Sequence, residues 1–469
     1  MKKFAFALCL AATLFTVYSC GKAEEGKSSG GGNEQQKVPA DWKDHIFDDD
    51  IFDRFVDPES GVVSYLLKHD ILGPNLDNSQ STYFVTKEMT DDERFLYFYS
   101  STNEWHGSAT KYKSGGVIDL ALRKIYEIPL ILGGGYPYID PVNDVLYWCE
   151  RQSNKKNARF YKMDLLNAPG KKEGLAYFPK NLRPTTGVIN RVCSHLTLTQ
   201  DKKKVLIDAW VGDNFYQGLL DLYTGEYTKW ASNNNQCHYT HGQLNPHNDN
   251  EALFAIDSWT ATDGNHTFAS VGWDAETGMC KRMQIATYAN GGATFRTVET
   301  QKENGEYQGA THDMWTADGN SVTWSSGGFW RRNIRTNALT HLFSLREGRN
   351  WWEDRCTHGN LSSDQKYLTC DAEANRKDLE TPYRGNAWSV LFSNTQNYKE
   401  VYIFTRRPQI TDAQHESSIH PDPHPHFVCN DKYIICTVAD DPYEHADGDT
   451  YNDVHLAITP VAQLIEMTK

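Results

Sequence analysis

The sequence Met314-Trp-Thr-Ala-Asp-Gly-Asn-Ser-Val-Thr-Trp324 contains the pattern that decides the fold. β-Forming residues stand on both sides of a short Asp-Gly-Asn turn, and this arrangement predicts a β-hairpin. Six further copies of the pattern occur, at residues 87–98, 140–148, 196–207, 243–254, 361–369 and 427–436. Such a repeat indicates one structural unit that is used seven times along the chain.

The spacing of the seven turns predicts the fold class. The turns are about 46 to 69 residues apart, which is room for a four-stranded blade with loops of uneven length. Aromatic residues make up 12% of the 469 residues, which favours many short strands. A helical solenoid would need a 3.6-residue periodicity that we do not find, and a two-sheet sandwich would not return one pattern so regularly. We therefore predict an all-β fold, a seven-bladed β-propeller, over residues 41–469.

Two further stretches, residues 220–230 and 273–279, have a different pattern. In each, a strand ends in Asp, a Thr-Gly turn follows, and a new strand begins. We predict that both stretches are outer hairpins of blades. TolB-like propellers use the same pattern in this way, and the chain resembles them.

The first forty residues carry export signals. Lys2 and Lys3 precede an apolar run over residues 4–17 that is too short to cross a membrane comfortably, so residues 1–19 are predicted to be a signal peptide. Val17-Tyr-Ser-Cys20 resembles the lipobox of bacterial lipoproteins, and Cys20 is therefore the expected lipidation site. A plain signal peptide with an incidental cysteine is the alternative. The polar residues 20–40 are expected to form a flexible tether, so we predict a membrane-anchored lipoprotein in the periplasm or on the cell surface.

Charge and cysteine content limit the partners and the cross-links. The formal net charge is −14, which argues against nucleic acid or an anionic membrane surface as the main partner. We expect the chain to act as a monomer. Eight cysteines remain beyond Cys20, and Cys356 and Cys370 flank a predicted turn. An exported chain permits a disulfide between these two, but buried free thiols explain the pattern equally well.

Five of the seventeen histidines share one position in the repeat. His195, His312, His358 and His424 lie six residues before the turn residue of their repeat, and His241 lies eight residues before a longer turn. Equivalent positions in a propeller are related by rotation about its axis. If this strand is the innermost one, the five imidazoles converge at one mouth of the central channel, where they suit a divalent transition metal. A polar plug that is hydrogen-bonded to water is the alternative.

The residues around these histidines resemble a known family. The stretches that carry the resemblance are His241-Gly-Gln-Leu-Asn-Pro246, Thr311-His-Asp-Met-Trp-Thr-Ala-Asp-Gly319, His358-Gly-Asn-Leu-Ser-Ser-Asp364 and His424-Pro-His-Phe427. They look like the blade motifs of oligogalacturonate lyases, over roughly half of the chain. Long insertions separate the motifs, so the resemblance is to a divergent relative.

The resemblance implies a metal site with bound Mn²⁺ and a histidine base. Carried over by position, His312, His424 and His426 match the metal ligands and His241 matches the base. The family's glutamine ligand falls on Pro421, and His420 or Gln414 is the expected substitute. The family's catalytic arginine falls near Tyr216, where there is none. The residues considered for the remaining roles are Arg191, Arg332 and Arg355 as the arginine, Tyr216 as proton donor, His195, His358, Arg332 and Arg355 as substrate-binding residues, and Asp313 and Asp422 as residues that orient a ligand histidine or face solvent.

The predicted reaction follows from this set. A divalent cation on a uronate carboxylate offsets the charge that develops when the C5 hydrogen is removed, and a neutral histidine is a suitable base. We therefore predict a metal-dependent lyase that cleaves uronic-acid-containing oligosaccharides by β-elimination. The alternatives are a glycoside hydrolase on a related propeller, for which we find no paired-carboxylate motif, and a glycan-binding propeller without catalytic activity.

Overall fold

The computed structural model describes residues 38–73, 76, 78–101, 113–131, 136–234, 238–260, 266–267, 273–274, 279–280, 282–298, 310–326, 328–343, 356–374, 387–408, 422–440, 443–444, 450–451 and 453–469. The predicted signal peptide, the predicted lipidation site Cys20 and most of the predicted tether lie outside these residues. Pro39–Lys469 form one compact unit. None of the helices in the described part of the chain is long and apolar enough to cross a membrane.

The unit is a seven-bladed β-propeller, which confirms the predicted fold class. Its elements begin with a 3-10 helix (Trp42–His45) and the strands β1 (Phe52–Val56) and β2 (Val63–Leu67). Blade 1 contains β3 (Phe95–Ser101), β4 (Lys113–Asp119) and β5 (Lys124–Ile131). Blade 2 contains β6 (Tyr138–Asp140), β7 (Val145–Arg151), β8 (Ala158–Asp164) and β9 (Glu173–Tyr177), and a 3-10 helix (Lys180–Leu182) follows it. Blade 3 contains β10 (Ile189–Arg191), β11 (Lys204–Val211), β12 (Asn214–Asp221) and β13 (Tyr227–Asn234).

The remaining blades follow the same antiparallel order. Blade 4 contains β14 (His238–Asn245), β15 (Asn248–Thr260), β19 (Met283–Ala289) and β20 (Gly292–Thr297), with the short strands β16 (His266–Thr267), β17 (Trp273–Asp274) and β18 (Met279–Cys280) in between. Blade 5 contains β21 (Thr311–Trp315), β22 (Ser321–Ser325), β23 (Phe329–Asn333) and β24 (Leu339–Phe343). Blade 6 contains β25 (Asn360–Leu361), β26 (Tyr367–Ala374), β27 (Ala387–Asn394) and β28 (Glu400–Pro408). Blade 7 contains β29 (His426–Val428), β30 (Tyr433–Ala439) and β33 (Val454–Pro460), after the short strands β31 (Tyr443–Glu444) and β32 (Thr450–Tyr451), and the chain ends in α1 (Val461–Met467).

Both ends of the propeller sequence contribute to blade 7, and this closes the ring. The strand order in this blade is β29, β30, β33, β2, β1, so the two N-terminal strands are its outermost strands. Tyr65 of β2 pairs with Ile458 of β33. The buried hydroxyls of Ser64 and Thr459 are 2.7 Å apart, so the pairing includes a side-chain hydrogen bond as well as the backbone ladder.

The repeated sequence pattern has one local cause, a turn fastened by an aspartate. Thr199 Oγ1 donates to Asp201 Oδ1 over 2.7 Å, and the backbone N–H of Lys203 donates to the same oxygen over 3.0 Å. The turns around Asp92, Asp318 and Asp364 have the same pair of hydrogen bonds, with Ser362 in place of threonine in the last. Each turn joins the innermost strand of a blade to the second strand, so the position of the aspartate in the sequence fixes where each innermost strand lies.

Apolar side chains of neighbouring blades pack against each other and form the core. One cluster contains Leu253 and Ile285 of blade 4 together with Val322 and Trp324 of blade 5, all at most 1% exposed. Similar clusters lie between blades 2 and 3 and between blades 6 and 7. The core is therefore distributed around the ring.

Of the two predicted outer hairpins, one is confirmed and one is wrong. Residues 220–230 cover the turn between β12 and β13, the outer hairpin of blade 3. Trp273–Asp274 and Met279–Cys280 instead form β17 and β18, which pair in a two-stranded sheet of their own inside the insertion between β15 and β19. The outer hairpin of blade 4 turns at Asn290 and Gly291. The Asp-Thr-Gly pattern predicts a hairpin but not its place in a blade.

Cys356 and Cys370 are free thiols in the structure, as are the other buried cysteines Cys149, Cys193, Cys429 and Cys436. The Cys356 and Cys370 side chains are in hydrogen-bonding contact, and this contact and burial raise the pKa of Cys370 well above its ordinary value. Of the two possibilities that the sequence left open, the structure has the buried thiols.

Asp57, at the end of β1, connects the closing strands to blade 6. Its Oδ2 accepts a hydrogen bond of 2.8 Å from the backbone N–H of Thr405 in β28, and its Oδ1 accepts one of 2.8 Å from the Thr405 hydroxyl. The backbone N–H of Ser60 also donates to Oδ1, over 2.9 Å. Asp57 is buried, whereas Asp53 on the same strand is exposed.

Replacing Asp57 with alanine is expected to lower the free energy of unfolding by about 2–3 kcal/mol, because buried donors of Thr405 and Ser60 lose their acceptor. Asp53→Ala is the matched control and should change it by less than about 0.5 kcal/mol. Burial alone would raise the pKa of Asp57, but the hydrogen bonds from Thr405 and Ser60 lower it below 3.8. The stabilisation is therefore present at neutral pH and is lost as the pH falls through the lowered pKa. Urea titrations at neutral and strongly acidic pH measure this, and equal stability of the two variants at neutral pH would contradict it.

Candidate active site at the histidine ring

The structure brings the five predicted histidines together at one mouth of the central channel. His241 and His312 belong to the innermost strands β14 and β21, and His358 and His424 directly precede β25 and β29. His195 lies in the innermost segment of blade 3, between β10 and the turn at Asp201. The ring centroids of His195 and His241 are 5.3 Å apart, those of His312 and His358 are 4.1 Å apart, and those of His358 and His424 are 4.2 Å apart. We call these five residues the histidine ring.

A backbone irregularity directs several of these side chains. His241, His312 and His424 have φ values of 51°, 52° and 49°, in the left-handed region. The ladder between β14 and β15 shifts its register beside His241, and the ladder between β21 and β22 shifts beside His312. Such bulges turn a side chain away from the direction that a regular strand would give it, and they are frequent next to active sites.

Two tyrosines complete the circle in the blades that lack a histidine. Tyr136 of blade 2 pairs with His195 through a backbone bridge. Tyr83, from the innermost segment of blade 1, reaches into the histidine ring, with its centroid 4.8 Å from that of His195 and 4.9 Å from that of His424. Sequence analysis missed Tyr83, although it lies close to the repeat position that carries histidine in other blades.

Phe84 closes the channel beneath the histidine ring. Its ring centroid is 5.6 Å from that of His358, and its carbonyl accepts a hydrogen bond of 3.0 Å from Asn360 Nδ2. On its other side Phe84 lines a cavity of about 260 Å³ whose remaining lining comes from the turn ends of the innermost strands, including Thr197, Gln243 and Trp315. The histidine ring and this cavity are therefore separate compartments.

A possible metal site forms where blades 6 and 7 meet. The ligand atoms of His358, Asp422 and His424 all lie within 4.8 Å of one another, and within the described ranges this is the one group of three or more such side chains. Asp422 Oδ2 is 3.9 Å from His358 Nε2 and 4.0 Å from His424 Nε2. We call these three residues the metal triad. Asp422 is thus placed as a possible metal ligand itself, whereas the sequence suggested that it orients a ligand histidine or faces solvent.

The buried carboxyl group of Asp371 orients His358. Asp371 Oδ2 lies 2.8 Å from His358 Nδ1, and Oδ1 accepts a hydrogen bond of 2.9 Å from the backbone N–H of His358. Burial lowers the pKa of His358 to about 3, so the imidazole is neutral at neutral pH. With the Nδ1–H donated to the carboxyl group, Nε2 presents its lone pair to the metal triad. This is the carboxylate–histidine arrangement that commonly supports a metal ligand.

Asp371 also accepts a backbone hydrogen bond from the next blade, and Asp208 connects blades 3 and 4 in the same way. Asp371 Oδ2 accepts the backbone N–H of His424 over 3.1 Å. Asp208 Oδ1 accepts the backbone N–H of Ser194 over 2.6 Å, and its Oδ2 accepts that of Gly242 over 3.0 Å. Sequence analysis missed both aspartates. Their common signal is an Asp-Ala pair within the second strand of a blade.

His312 lies beside the metal triad and can contribute a further nitrogen. Its ring centroid is 4.1 Å from that of His358, and its Nδ1 has no hydrogen-bond partner among the described residues. Burial, followed by the charges of His358 and Arg282, lowers the pKa of His312 well below 6.5. The His312 ring also has a hydrogen-bonding contact with the backbone of Thr357. A neutral imidazole fits a divalent transition metal, as do the other nitrogen and oxygen donors present here.

His426, the third histidine assigned to the metal by resemblance, lies outside the metal triad. Its Nε2 is 3.6 Å from Oε2 of Glu88, a residue of blade 1 that sequence analysis missed. Burial raises the pKa of the Glu88 carboxyl to about 8. The structure thus divides the expected ligand histidines, with His424 beside His358 and His426 beside Glu88.

Arg282 connects His241 to the metal side of the site. This buried residue directly precedes β19, at the end of the long insertion of blade 4. Its Nη2 is 3.1 Å from His241 Nδ1, and its Nε donates to Asp313 Oδ1 over 3.2 Å. Because a guanidinium group only donates, His241 accepts at Nδ1 and carries its ring proton on Nε2. Asp313, which the sequence offered as an orienting or solvent-facing acid, is buried and holds Arg282.

The other residues considered from the sequence have different surroundings. Arg191 donates to the backbone carbonyls of Asp208 and Tyr239 over 3.2 and 2.9 Å. Tyr239 is two residues before His241, so Arg191 contacts the strand that carries this histidine. Tyr216, in the third strand of blade 3, packs on the apolar cluster between blades 2 and 3.

Arg332 lies away from the histidine ring. It is in the third strand of blade 5, level with Val322 and Trp315, whereas His312 is at the Ser325 end of that sheet. Its Nη1 donates to the Asn337 carbonyl over 2.8 Å. A substrate-binding role for Arg332 at the ring therefore does not fit its position. His420, Gln414 and Arg355 lie outside the described residues, and their roles stay predictions.

The fold of this chain occurs among known structures, although its sequence is dissimilar to theirs. Neither a protein-family model nor a curated protein sequence matches it. A structure described as oligogalacturonate lyase in complex with manganese matches with a TM-score of 0.58 at 18% identity, over 87% of this chain and 96% of that one. Oligogalacturonate lyase from Vibrio parahaemolyticus matches with a TM-score of 0.58 at 14% identity, over the same shares of 87% and 96%. TolB from Acinetobacter baumannii matches with a TM-score of 0.38 at 10% identity, over 83% of this chain and 90% of its own. The chain thus shares its fold with these two oligogalacturonate lyase structures, at a sequence identity of 14–18%.

Proposed function

We propose that this protein is a metal-dependent lyase that cleaves uronic-acid-containing oligosaccharides by β-elimination. The observation that carries the proposal is the pairing of two features at one channel mouth. One is the metal triad, and the other is a neutral histidine, His241, held at Nδ1 by the buried Arg282. Elimination next to a carboxylate needs positive charge near that carboxylate and a base near C5, and these two features would supply them.

The metal triad and His312 would hold the cation. Their donors are imidazole nitrogens and one carboxylate, which suit Mn²⁺ or Zn²⁺ better than Ca²⁺. The manganese complex among the similar structures supports Mn²⁺ as the first ion to test. When bound, a divalent ion would draw charge from the substrate carboxylate and make the C5 hydrogen more acidic.

Arg282 and His241 would act together on the proton. In the proposed reaction Arg282 turns Nη2 from His241 to the substrate carboxylate, which accepts a guanidinium well. This exposes the Nδ1 lone pair of His241, and Nδ1 takes the C5 proton as the double bond forms between C4 and C5. Asp313 holds Arg282 through Nε during this change.

Tyr83 is the proposed proton donor to the leaving O4. Its ring lies between those of His195 and His424, so its hydroxyl group is carried by a residue inside the histidine ring. The donor suggested by the sequence, Tyr216, packs on an apolar cluster. We therefore assign the role to Tyr83 in place of Tyr216.

The test of the proposal is an absorbance assay with Mn²⁺ and a panel of pectic, ulvan and glucuronate-bearing oligosaccharides. Elimination yields a 4,5-unsaturated uronate, which absorbs near 235 nm through its conjugated double bond, and a chelator should abolish the signal. Reducing sugar released without absorbance would indicate hydrolysis. No absorbing product from any member of the panel would exclude the lyase function.

Replacing Arg282 with glutamine should reduce kcat/KM by about 100-fold or more, because one preorganised donor for the developing charge is lost. Arg282→Lys should have a higher kcat than Arg282→Gln, because lysine restores the positive charge but not the planar guanidinium group with its several donors. Arg296→Gln, an exposed position in β20 of the same blade, should leave kcat/KM within about twofold. Equal rates for Arg282→Gln and Arg296→Gln would remove Arg282 from the mechanism.

Asp371→Asn should weaken the affinity of the metal triad for Mn²⁺ by about 10- to 100-fold, the usual cost of losing the partner that orients a ligand histidine. Asp208→Asn is a close control, because Asp208 holds the backbone of blades 3 and 4 in the same way but has no contact with the metal triad. Isothermal titration of both full-length variants with Mn²⁺ measures the difference. Unchanged affinity in Asp371→Asn would show that His358 is not a ligand.

A further inference from the structure

Glu88 and His426 form a buried pair of an acidic and a basic side chain. Glu88 is 0% exposed and His426 is 1% exposed, and the distance between Oε2 and Nε2 is 3.6 Å. No lysine or arginine nitrogen in the described ranges lies within 4.0 Å of the Glu88 carboxyl group. A carboxyl group this deeply buried needs hydrogen-bond partners, and it needs a positive charge nearby if it is ionised.

The two facing atoms are both available as ligands. His426 Nδ1 is 2.9 Å from the carbonyl of His424, and a carbonyl only accepts, so Nδ1 carries the proton and Nε2 has the lone pair. Glu88 Oε1 accepts the backbone N–H of Thr82, which leaves Oε2 for another partner. Neither Nε2 nor Oε2 has a hydrogen-bond partner in the described part of the protein.

A further buried polar group belongs to the residue opposite Glu88. The backbone N–H of Tyr97 donates to the Glu88 carbonyl over 2.7 Å, so the two residues are opposite each other in the ladder of blade 1. The Tyr97 hydroxyl is buried and has no hydrogen-bond partner among the residues described. Buried polar atoms are nearly always satisfied, and a cluster that is not indicates a bound water or ion.

The distance between Nε2 and Oε2 favours an ion. A direct hydrogen bond would require about 2.7–3.2 Å. A tetrahedral water that bridged both atoms at about 2.8 Å would hold them roughly 4.6 Å apart. Two ligands of a tetrahedral metal at about 2.0–2.2 Å lie roughly 3.3–3.6 Å apart. The observed 3.6 Å falls in the last range.

We propose that Glu88 and His426 bind a second divalent transition-metal ion, at a site separate from the metal triad. The site joins the innermost segment of blade 1 to the innermost strand of blade 7. The ion would hold in place the segment that carries Tyr83 and Phe84, five and four residues before Glu88. Mixed nitrogen and oxygen donors suit Zn²⁺ or Mn²⁺. The proposal does not depend on the lyase reaction.

The experiment is metal analysis of the full-length protein after equilibrium dialysis against Mn²⁺ and, separately, Zn²⁺. The parent protein should bind about two equivalents of one of these ions, and Glu88→Gln and His426→Gln should each bind about one. His424→Ala, which removes a residue of the metal triad, should also bind about one, and its combination with Glu88→Gln should bind almost none. Glu93→Gln is the matched control, because Glu93 is another buried glutamate of blade 1 but is paired with Lys432; it should keep both equivalents.

The outcomes separate the possibilities. Unchanged stoichiometry in Glu88→Gln would overturn the proposal, and so would loss of both ions in that variant, since a single shared site would explain it. A parent protein that binds one equivalent or none would also overturn it. If Glu88→Gln does not fold, His426→Gln gives the same test from the other side of the pair. Metal content is read without substrate, so a failed lyase assay would leave this result standing.

Discussion

The site depends on innermost strands that are held at fixed heights relative to their neighbours. Buried aspartates on the second strands fix the positions of the innermost strands, because each aspartate accepts backbone N–H groups of its own blade and of the next blade. Asp371 binds those of His358 and His424, and Asp208 binds those of Ser194 and Gly242. Each aspartate is at most 1% exposed, so its hydrogen bonds do not compete with water. Two imidazoles from different blades can then face one ion without the loss of conformational entropy that flexible loops would impose.

The charge distribution at the channel mouth has two sides. On one side, neutral imidazoles and Asp422 present lone pairs. On the other, Arg282 presents a fixed positive charge between His241 and Asp313. An anionic group that entered between these sides would meet the metal triad and a guanidinium group at once, among side chains that are buried, where electrostatic interactions are stronger than in water. The overall charge of −14 does not oppose this, since contact-range charges dominate over distant ones.

The sequence predicted the parts of the molecule that repeat. The turn between the first two strands of a blade is a local structure that needs only a few residues, so its seven copies defined the blades. The position of each histidine relative to its turn defined the histidine ring. Residues that act across blades have no such local signal. Arg282 comes from an insertion, Glu88 comes from the irregular innermost segment of blade 1, and Asp371 looks like any polar residue of a strand until its partners are known. Residues 273–279 were misplaced for the related reason that a hairpin pattern does not encode its position in a sheet.

Ring closure in blade 7 has a consequence for how the protein reaches its native state. In this blade β33 pairs with β2 across a sequence separation of almost four hundred residues. Contacts of this kind form late and slowly, because nearly the whole chain must first be confined. The blades can assemble from local hairpins, but the blade that carries Asp422, His424 and His426 is complete only when the two ends of the propeller sequence meet. The geometry of the metal triad therefore depends on the contact of highest sequence separation in blade 7, and a chain truncated at either end would lack a complete blade 7 around Asp422, His424 and His426.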